Sequence, residues 1–183
     1  QTCALPILKS QGLKVEPYAM QSNGGTATFE MTKVNPINII ESGPVGGVIG
    51  ANEIGKILGE KNIITYDIGG TTAKTSLIHN NNVRITTDYR LEQSPVFTGY
   101  PIKAPIVDII EIGAGGGSIA WIDQVGNLKV GPRSAGADPG PACYDKGGTN
   151  PTLTDANMIA GRIDPDRFIG GKFKINIKKS YEA

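Results

Sequence analysis

The sequence predicts an α/β fold, and three stretches predict it. Residues 62–68 form a β-branched, mostly apolar run with Asp67 at its end, the pattern of a buried strand. Residues 105–112 are a second such run, with Ile106, Val107, Ile109, Ile110 and Ile112 around Asp108 and Glu111. Between residues 45 and 58, Val45, Val48, Ile49, Ile54, Ile57 and Leu58 recur at helical spacing. Each strand-like run feeds a glycine-rich turn, Gly69-Gly70-Thr71-Thr72 after the first and Gly113-Ala114-Gly115-Gly116-Gly117-Ser118 after the second.

A chain of 183 residues can bury a real core and make one domain, or one and a half. Lys+Arg 18 against Asp+Glu 17 leaves a formal charge of +1, which argues against a nucleic-acid or membrane-surface partner. No apolar run approaches the roughly 20 residues of a membrane span, and no charged start followed by an apolar stretch marks a secretory signal. The cytoplasm is the expected location. Cys3 and Cys143 lie far apart with no Cys or His at metal-ligand spacing, so neither a zinc site nor a disulfide framework is expected. The opening Gln1-Thr2-Cys3-Ala4-Leu5-Pro6-Ile7 lacks an initiator Met and reads as foreign sequence ahead of a fragment. The expected layout is a truncated lead-in over 1–20, a central domain over 21–170 and a truncated basic tail over 171–183.

In chain order, residues 7–13 read as the end of a helix and 16–20 as a short extended run. They deliver the chain to Gln21-Ser22-Asn23-Gly24-Gly25, whose turn chemistry makes a plain loop the simpler reading. Residues 29–40 lead through Pro36 to Glu41-Ser42-Gly43-Pro44, where Ser42 and Pro44 form a helix-start signal. Gly59 supplies the stop. Gly43, Gly46, Gly47 and Gly50 each cost about 1 kcal/mol in a helix interior, a loss that is tolerable where backbone must closely approach another helix or a ligand. Close helix packing is the preferred reading.

Residues 62–68 and 73–78 make a hairpin, and Asn80-Asn81-Asn82 then turns the chain into 83–87, so 62–87 reads as a three-strand meander. His79, the single histidine, reads as a solvated loop residue. Residues 88–104, with Pro95, Gly99 and Pro101, read as a surface connection. A further hairpin is expected from 119–123 and 128–130 around Val125-Gly126-Asn127, with Trp121 as its core anchor.

Residues 131–148 carry almost no regular signal, and a loop of that length in a compact domain is functional or disordered. Its small residues, with Arg133, Asp138 and Lys146, suit a shaped binding loop. Cys143 has no histidine beside it and reads as a small buried residue rather than a nucleophile. Residues 152–162 read as a short helix with Thr154 or Asp155 near its N-terminus and Gly161 near its end. The lysines beyond Asp164-Pro165 (Lys172, Lys174, Lys178 and Lys179) read as a solvated end.

The turn after the first strand carries the chemistry. Two glycines allow close backbone approach and expose consecutive N–H groups, the threonine hydroxyls add donors, and such a nest suits phosphate oxygens. Asp67 at the strand end can hold a hydrated Mg²⁺ against the same phosphates. An ordinary tight hairpin with a surface aspartate accounts for the same residues.

The order of a glycine-bearing helix, an Asp67-Ile68-Gly69-Gly70-Thr71-Thr72 hairpin and a strand ending in Gly113-Ala114-Gly115-Gly116-Gly117 resembles the second half of the actin, heat-shock chaperone and sugar-kinase ATPase superfold. More closely, SGPVGGVIGA, YDIGGTTAKTSLI, EIGAGGGSIAWID and VGPRSAGADPGPACYDKGGTNPTLTDANMIAGRID look like the hydantoinase A / 5-oxoprolinase family, across most of residues 21–170. Thr71-Thr72-Ala73-Lys74 is similar to the members that include acetone and acetophenone carboxylase subunits.

That resemblance implies a ribonuclease-H-like half-domain with a mixed sheet. It also implies an ATP-dependent hydrolase subunit that opens a cyclic amide (hydantoin, 5-oxoproline or a lactam) by way of phosphorylation, with Mg²⁺ and a second, hydantoinase B-like subunit or domain. A ketone carboxylase subunit and a non-catalytic ATP-binding module are the alternatives. By motif matching, Asp67, Gly69, Gly70, Thr71 and Thr72 would cradle phosphates and metal, with Asp67 the metal ligand. Gly115, Gly116 and Gly117 would border adenosine or substrate, and no catalytic residue is assigned. The chain departs from the family in lacking the N-terminal half with its first Asp-x-Gly-Gly-Thr motif. Lys74 also stands where many relatives carry an acidic residue.

Overall fold

The computed structural model describes residues 4–92 and 96–183. Readings placed on Cys3, on the first three residues of the supposed foreign stretch and on Pro95 lie outside the described residues. The chain forms two compact units, one from residues up to 65 together with 76–109, the other from 66–75 together with 110–183.

The first unit begins with helix α1 (Ala4–Ser10) and a hairpin of β1 (Tyr18–Met20) and β2 (Thr26–Thr28). The polar turn between these strands is structural: Ser22 is buried, and its hydroxyl donates to the Asn38 carbonyl at 2.9 Å. Helix α2 (Phe29–Val34) is capped by the Thr28 hydroxyl, which accepts the Met31 N–H at 3.3 Å. A 3₁₀ turn over Pro36–Ile39 leads into helix α3 (Ser42–Leu58).

Val45, Val48, Asn52 and Gly55 are buried along α3, a stripe at intervals of three and four. Val45 and Val48 meet Ile78 and Val107 in the unit's core. Gly59, left-handed at φ 76°, ends the helix by donating to the Gly55 and Lys56 carbonyls. Two readings of this helix need correction. The residue that flanks its start is Glu41, at φ 60° and without a side-chain cap, so Ser42 is already helical and caps nothing. A Cβ on Gly43, Gly46, Gly47 or Gly50 would meet nothing within 4 Å, so no helix packs against them among the described residues. Close packing occurs instead at Gly55, against the Ile63 side chain and the Glu60 carbonyl.

Strands β3 (Ile63–Ile68) and β4 (Ala73–His79) form the central hairpin and carry the chain between the units. The expected third strand is shorter than 83–87. After β5 (Asn82–Val83) pairs with the end of β4, β6 (Ile85–Thr86) leaves to pair with β9 (Ile106–Val107). The run 105–112 is likewise two strands, because Asp108 is pulled out of line: its carbonyl accepts the buried Ser76 hydroxyl at 2.8 Å and its N–H donates to the Arg84 carbonyl at 2.9 Å. Residues 88–104 are also more than a connection. β7 (Tyr89–Leu91) and β8 (Tyr100–Ile102) pair, and Ile102, Ala104 and Ile106 form a second small core with Ile40, Tyr89 and Leu91.

In the second unit β10 (Ile110–Ile112) pairs antiparallel with the start of β4. The strands before the glycine turns are exposed rather than buried: Ile68 is 48% and Ile112 49% accessible. β3 and β10 are the outer strands of the order β10-β4-β3. The expected hairpin is present as β11 (Ser118–Ile122) and β12 (Leu128–Ser134), with Trp121 opposite Lys129. Trp121 is half-buried rather than a core anchor, its indole N–H donating to the Gly131 carbonyl at 2.8 Å. A 3₁₀ turn over Ala142–Tyr144, helix α4 (Leu153–Ile159) and helix α5 (Ile177–Glu182) complete the unit. In the tail Lys172, Lys174 and Lys178 are exposed as expected, while α5 packs on α4 and buries Ser180.

Candidate functional site

Strands β3 and β10 flank β4 on either side and both run against it. Their C-terminal ends therefore emerge at the same end of the sheet, and the register Ile112 opposite Ala73 sets the second glycine turn beside the first. The two turns that the sequence shows 40 residues apart are in direct contact. Gly115 N donates to the Thr71 carbonyl at 3.2 Å, Gly116 N to Gly69 at 2.9 Å and Gly117 N to Gly70 at 2.6 Å. Gly69 N closes the first turn on the Thr72 carbonyl at 2.9 Å.

This geometry divides the labour between the candidate residues. The donors of the second run are spent on the carbonyls of the first. The N–H groups of Gly70, Thr71 and Thr72, and the two threonine hydroxyls, have no partner among the described residues. Three consecutive donors at an exposed turn can receive an anion's oxygens. The glycines of the second run are there for the approach itself: a Cβ on Gly115 would lie 2.5 Å from Thr71 backbone, one on Gly116 2.9 Å from the Thr154 hydroxyl, and one on Gly117 3.0 Å from the Gly70 carbonyl.

Asp67 stands exposed near the end of β3, and its carboxylate has no partner among the described residues. It is a single carboxylate; no group of three His, Cys, Asp or Glu able to hold a metal occurs among the described residues. One carboxylate with several waters suits Mg²⁺, which keeps most of its hydration shell beside phosphates. Lys74, on the next strand, faces Glu111 across the β4–β10 pair at 3.4 Å, so its ammonium is engaged by a cross-strand carboxylate.

Residues 131–148, whose beginning belongs to β12, wrap a buried carboxylate that the sequence does not single out. Asp155 accepts five hydrogen bonds: from Ala142 N at 3.1 Å, Cys143 N at 2.8 Å, Thr152 N at 3.0 Å, Thr152 Oγ1 at 2.7 Å and Ser180 Oγ at 2.9 Å. Burial works against its ionisation, but the bonds from Thr152, Cys143 and Ser180 outweigh burial and hold the carboxyl below its ordinary value. The Thr152–Asp155 capping box at the start of α4 was the available signal. Arg133 and Lys146 lie over the rings of Trp121 and Phe173 at 5.9 and 5.1 Å.

Cys143 is fully buried, as expected of a cysteine with no histidine beside it, and burial together with the Asp155 carboxylate pushes its thiol up to about 12. It stays protonated at neutral pH and is no nucleophile. His79 is exposed at the end of β4, in contact with the Asn80 side chain at 3.0 Å. No helix among the described residues is long and apolar enough to cross a membrane.

A family model described as Hydantoinase/oxoprolinase matches residues 6–183. The chain is 38% identical over 177 residues to the acetophenone carboxylase gamma subunit of Aromatoleum aromaticum, a match that covers 96% of this chain and 23% of that protein. Its fold is similar to the nucleotide-free structure of acetone carboxylase, with a TM-score of 0.81 and 33% identity over 98% of this chain and 24% of that one. It is also similar to the ATP-dependent caprolactamase of Pseudomonas jessenii, with a TM-score of 0.72 and 33% identity over 98% and 25% of the two chains. The chain spans about a quarter of the length of the carboxylase and caprolactamase subunits it matches, and about an eighth of the 5-oxoprolinases.

Proposed function

Because this chain belongs to the hydantoinase/oxoprolinase family, we propose that it is the nucleotide-phosphate-binding part of an ATP-dependent enzyme that opens a cyclic amide such as a hydantoin, 5-oxoproline or a lactam. The observation that carries the reading is the set of three unpartnered N–H groups at Gly70, Thr71 and Thr72, held open by Gly115–117 near the free carboxylate of Asp67. These are the donor types that phosphate oxygens and a hydrated Mg²⁺ call for. ATP, when bound, supplies the phosphoryl group that turns the amide oxygen into a leaving group. This chain's own work is positioning: the turn donates to phosphate oxygens, and Asp67 orients the ion's water shell. A ribonuclease-H-like architecture for the complete protein, with a hydantoinase B-like partner that finishes the reaction, belongs to the same proposal.

Ketone carboxylation is the second reading, favoured by the likeness to acetone carboxylase at a TM-score of 0.81. Both reactions ask the same of this chain, activation of an oxygen by phosphorylation, and differ in what the rest of the protein binds. The test is to express the full-length protein with its neighbouring subunit and to measure phosphate release from Mg²⁺-ATP. Stimulation by caprolactam, 5-oxoproline or hydantoin supports the hydrolase, and stimulation by acetone or acetophenone with bicarbonate supports the carboxylase. No stimulation by either set, in a protein that binds the nucleotide, refutes both.

A further inference from the structure

The nucleotide reading leaves unexplained why two buried hydroxyls lie directly beneath the candidate turn. Thr154, in the first turn of α4 and largely buried, donates from both its N–H and its hydroxyl to the Gly116 carbonyl, each at 2.8 Å. The same peptide run donates onward, Gly116 N to the Gly69 carbonyl at 2.9 Å. Ser118, fully buried at the start of β11, accepts the Gly115 N–H at 2.9 Å and lies 3.2 Å from the Thr71 carbonyl, to which its hydroxyl donates. Each hydroxyl therefore reaches the turn from below in one or two bonds, and neither is exposed for a ligand.

We propose that Thr154, supported by Ser118, is a positioning residue for the phosphate-binding turn: it fixes the Gly115–117 run, which fixes the carbonyls of Gly69–Thr71 and thereby the direction of the free N–H groups. The inference rests on the nucleotide reading of the site and goes beyond it in naming what sets the turn's geometry. Three observations carry it. The helix that bears Thr154 is itself immobilised, since the Thr152–Asp155 capping box and the bonds from Ala142, Cys143 and Ser180 clamp its N-terminus. The acceptor on Gly116 is shared by two donors from one residue, which fixes its orientation as well as its distance. All the carbonyls on one side of the turn are committed to the second glycine run, so the unpartnered donors are left on the other. A loosened Gly116 would let the turn relax and change the direction of those donors.

The test uses the full-length protein with two variants at each position. Thr154→Val replaces the hydroxyl with a methyl and keeps the N–H bond; Thr154→Ser keeps the hydroxyl and loses the methyl. Ser118→Ala and Ser118→Thr form the parallel pair. The first readout is affinity for a non-hydrolysable Mg²⁺-ATP analogue by calorimetry, which should fall about tenfold in Thr154→Val, the scale of one hydrogen bond, and return to within about twofold of wild type in Thr154→Ser. The second is hydrogen exchange at the Gly116 and Gly117 amides, which should quicken in the Val variant and recover in the Ser variant while amides of β12 do not change. Wild-type affinity and exchange in both Thr154→Val and Ser118→Ala overturn the proposal. Equal losses in the Val and Ser variants, with the melt lowered in step, also overturn it, because that is what a packing role predicts. Should the wild-type protein fail to bind the analogue at all, the nucleotide reading fails, and the exchange rates alone decide whether Thr154 holds the turn.

Discussion

Replacing Asp155 with asparagine tests the frame on which the candidate site stands. The carboxylate accepts from Ala142 N, Thr152 N and Thr152 Oγ1 on one oxygen and from Cys143 N and Ser180 Oγ on the other. An asparagine can serve only one of those oxygen positions. Its better orientation keeps the three donors on the first and turns its NH₂ toward Cys143 N and Ser180 Oγ. The Ser180 hydroxyl can rotate to accept; the Cys143 N–H cannot, and is left buried against another donor. One stranded donor, at about 1–3 kcal/mol, and the loss of the charge on the remaining bonds, at about 1–2 kcal/mol, predict a destabilisation of about 2–5 kcal/mol.

The assay is urea unfolding of the full-length protein at neutral pH, followed by a probe in this unit such as Trp121 fluorescence. The sign of the acid dependence follows from the direction of the shift. Because the folded carboxyl is held below its ordinary value, its contribution is present above the unfolded carboxylate pKa and is lost as pH falls through the folded one. Wild type should thus lose stability on acidification below about pH 4, and Asp155→Asn should lack that component. A midpoint within error of wild type, or an unchanged acid profile, would refute the view that this carboxylate clamps α4, α5 and the 142–144 turn together.

Further outcomes follow from the same geometry. Asp67→Asn in the full-length protein should weaken Mg²⁺-nucleotide binding by about 1–3 kcal/mol with an unchanged melt, since the side chain has no partner among the described residues; equal affinities by calorimetry would remove Asp67 from the site. Gly115→Ala should cost both stability and nucleotide affinity, because its Cβ would lie 2.5 Å from Thr71 backbone, and a wild-type melt would contradict that contact. Cys143, with its thiol pushed up to about 12, should resist iodoacetamide at pH 8 in a Cys3→Ser background and react only on unfolding, as mass spectrometry would report. The 183-residue chain alone should show no substrate-stimulated phosphate release, since its candidate site offers donors and one carboxylate but no base; turnover abolished by Asp67→Asn would prove this wrong.

What the sequence determined by itself is local and periodic. Helix α3 and its Gly59 stop, the central hairpin, the β11–β12 hairpin and the two glycine turns are written in spacings that act over a few residues, and the family blocks from SGPVGGVIGA onward identify the chain by the same short-range text. The tertiary structure alone decided partnership. That 105–112 breaks at Asp108 depends on a hydroxyl from Ser76, 32 positions away, and that β6 leaves the meander depends on Ile106 and Val107. The glycines of 43–50 looked like contact points and meet nothing among the described residues, whereas Gly55, which drew no notice, is the one packed tightly. Most tellingly, the N–H groups of the Gly115–117 run are spent on Gly69, Gly70 and Thr71, a pairing no local pattern announces. Composition shows that a backbone can make a close approach; the register of β10 on β4 brings this run onto the first turn. Asp155 was legible as a helix-start residue and no more, because a carboxylate's burial is set by Ala142, Cys143 and Ser180, which reach it from 13, 12 and 25 residues away.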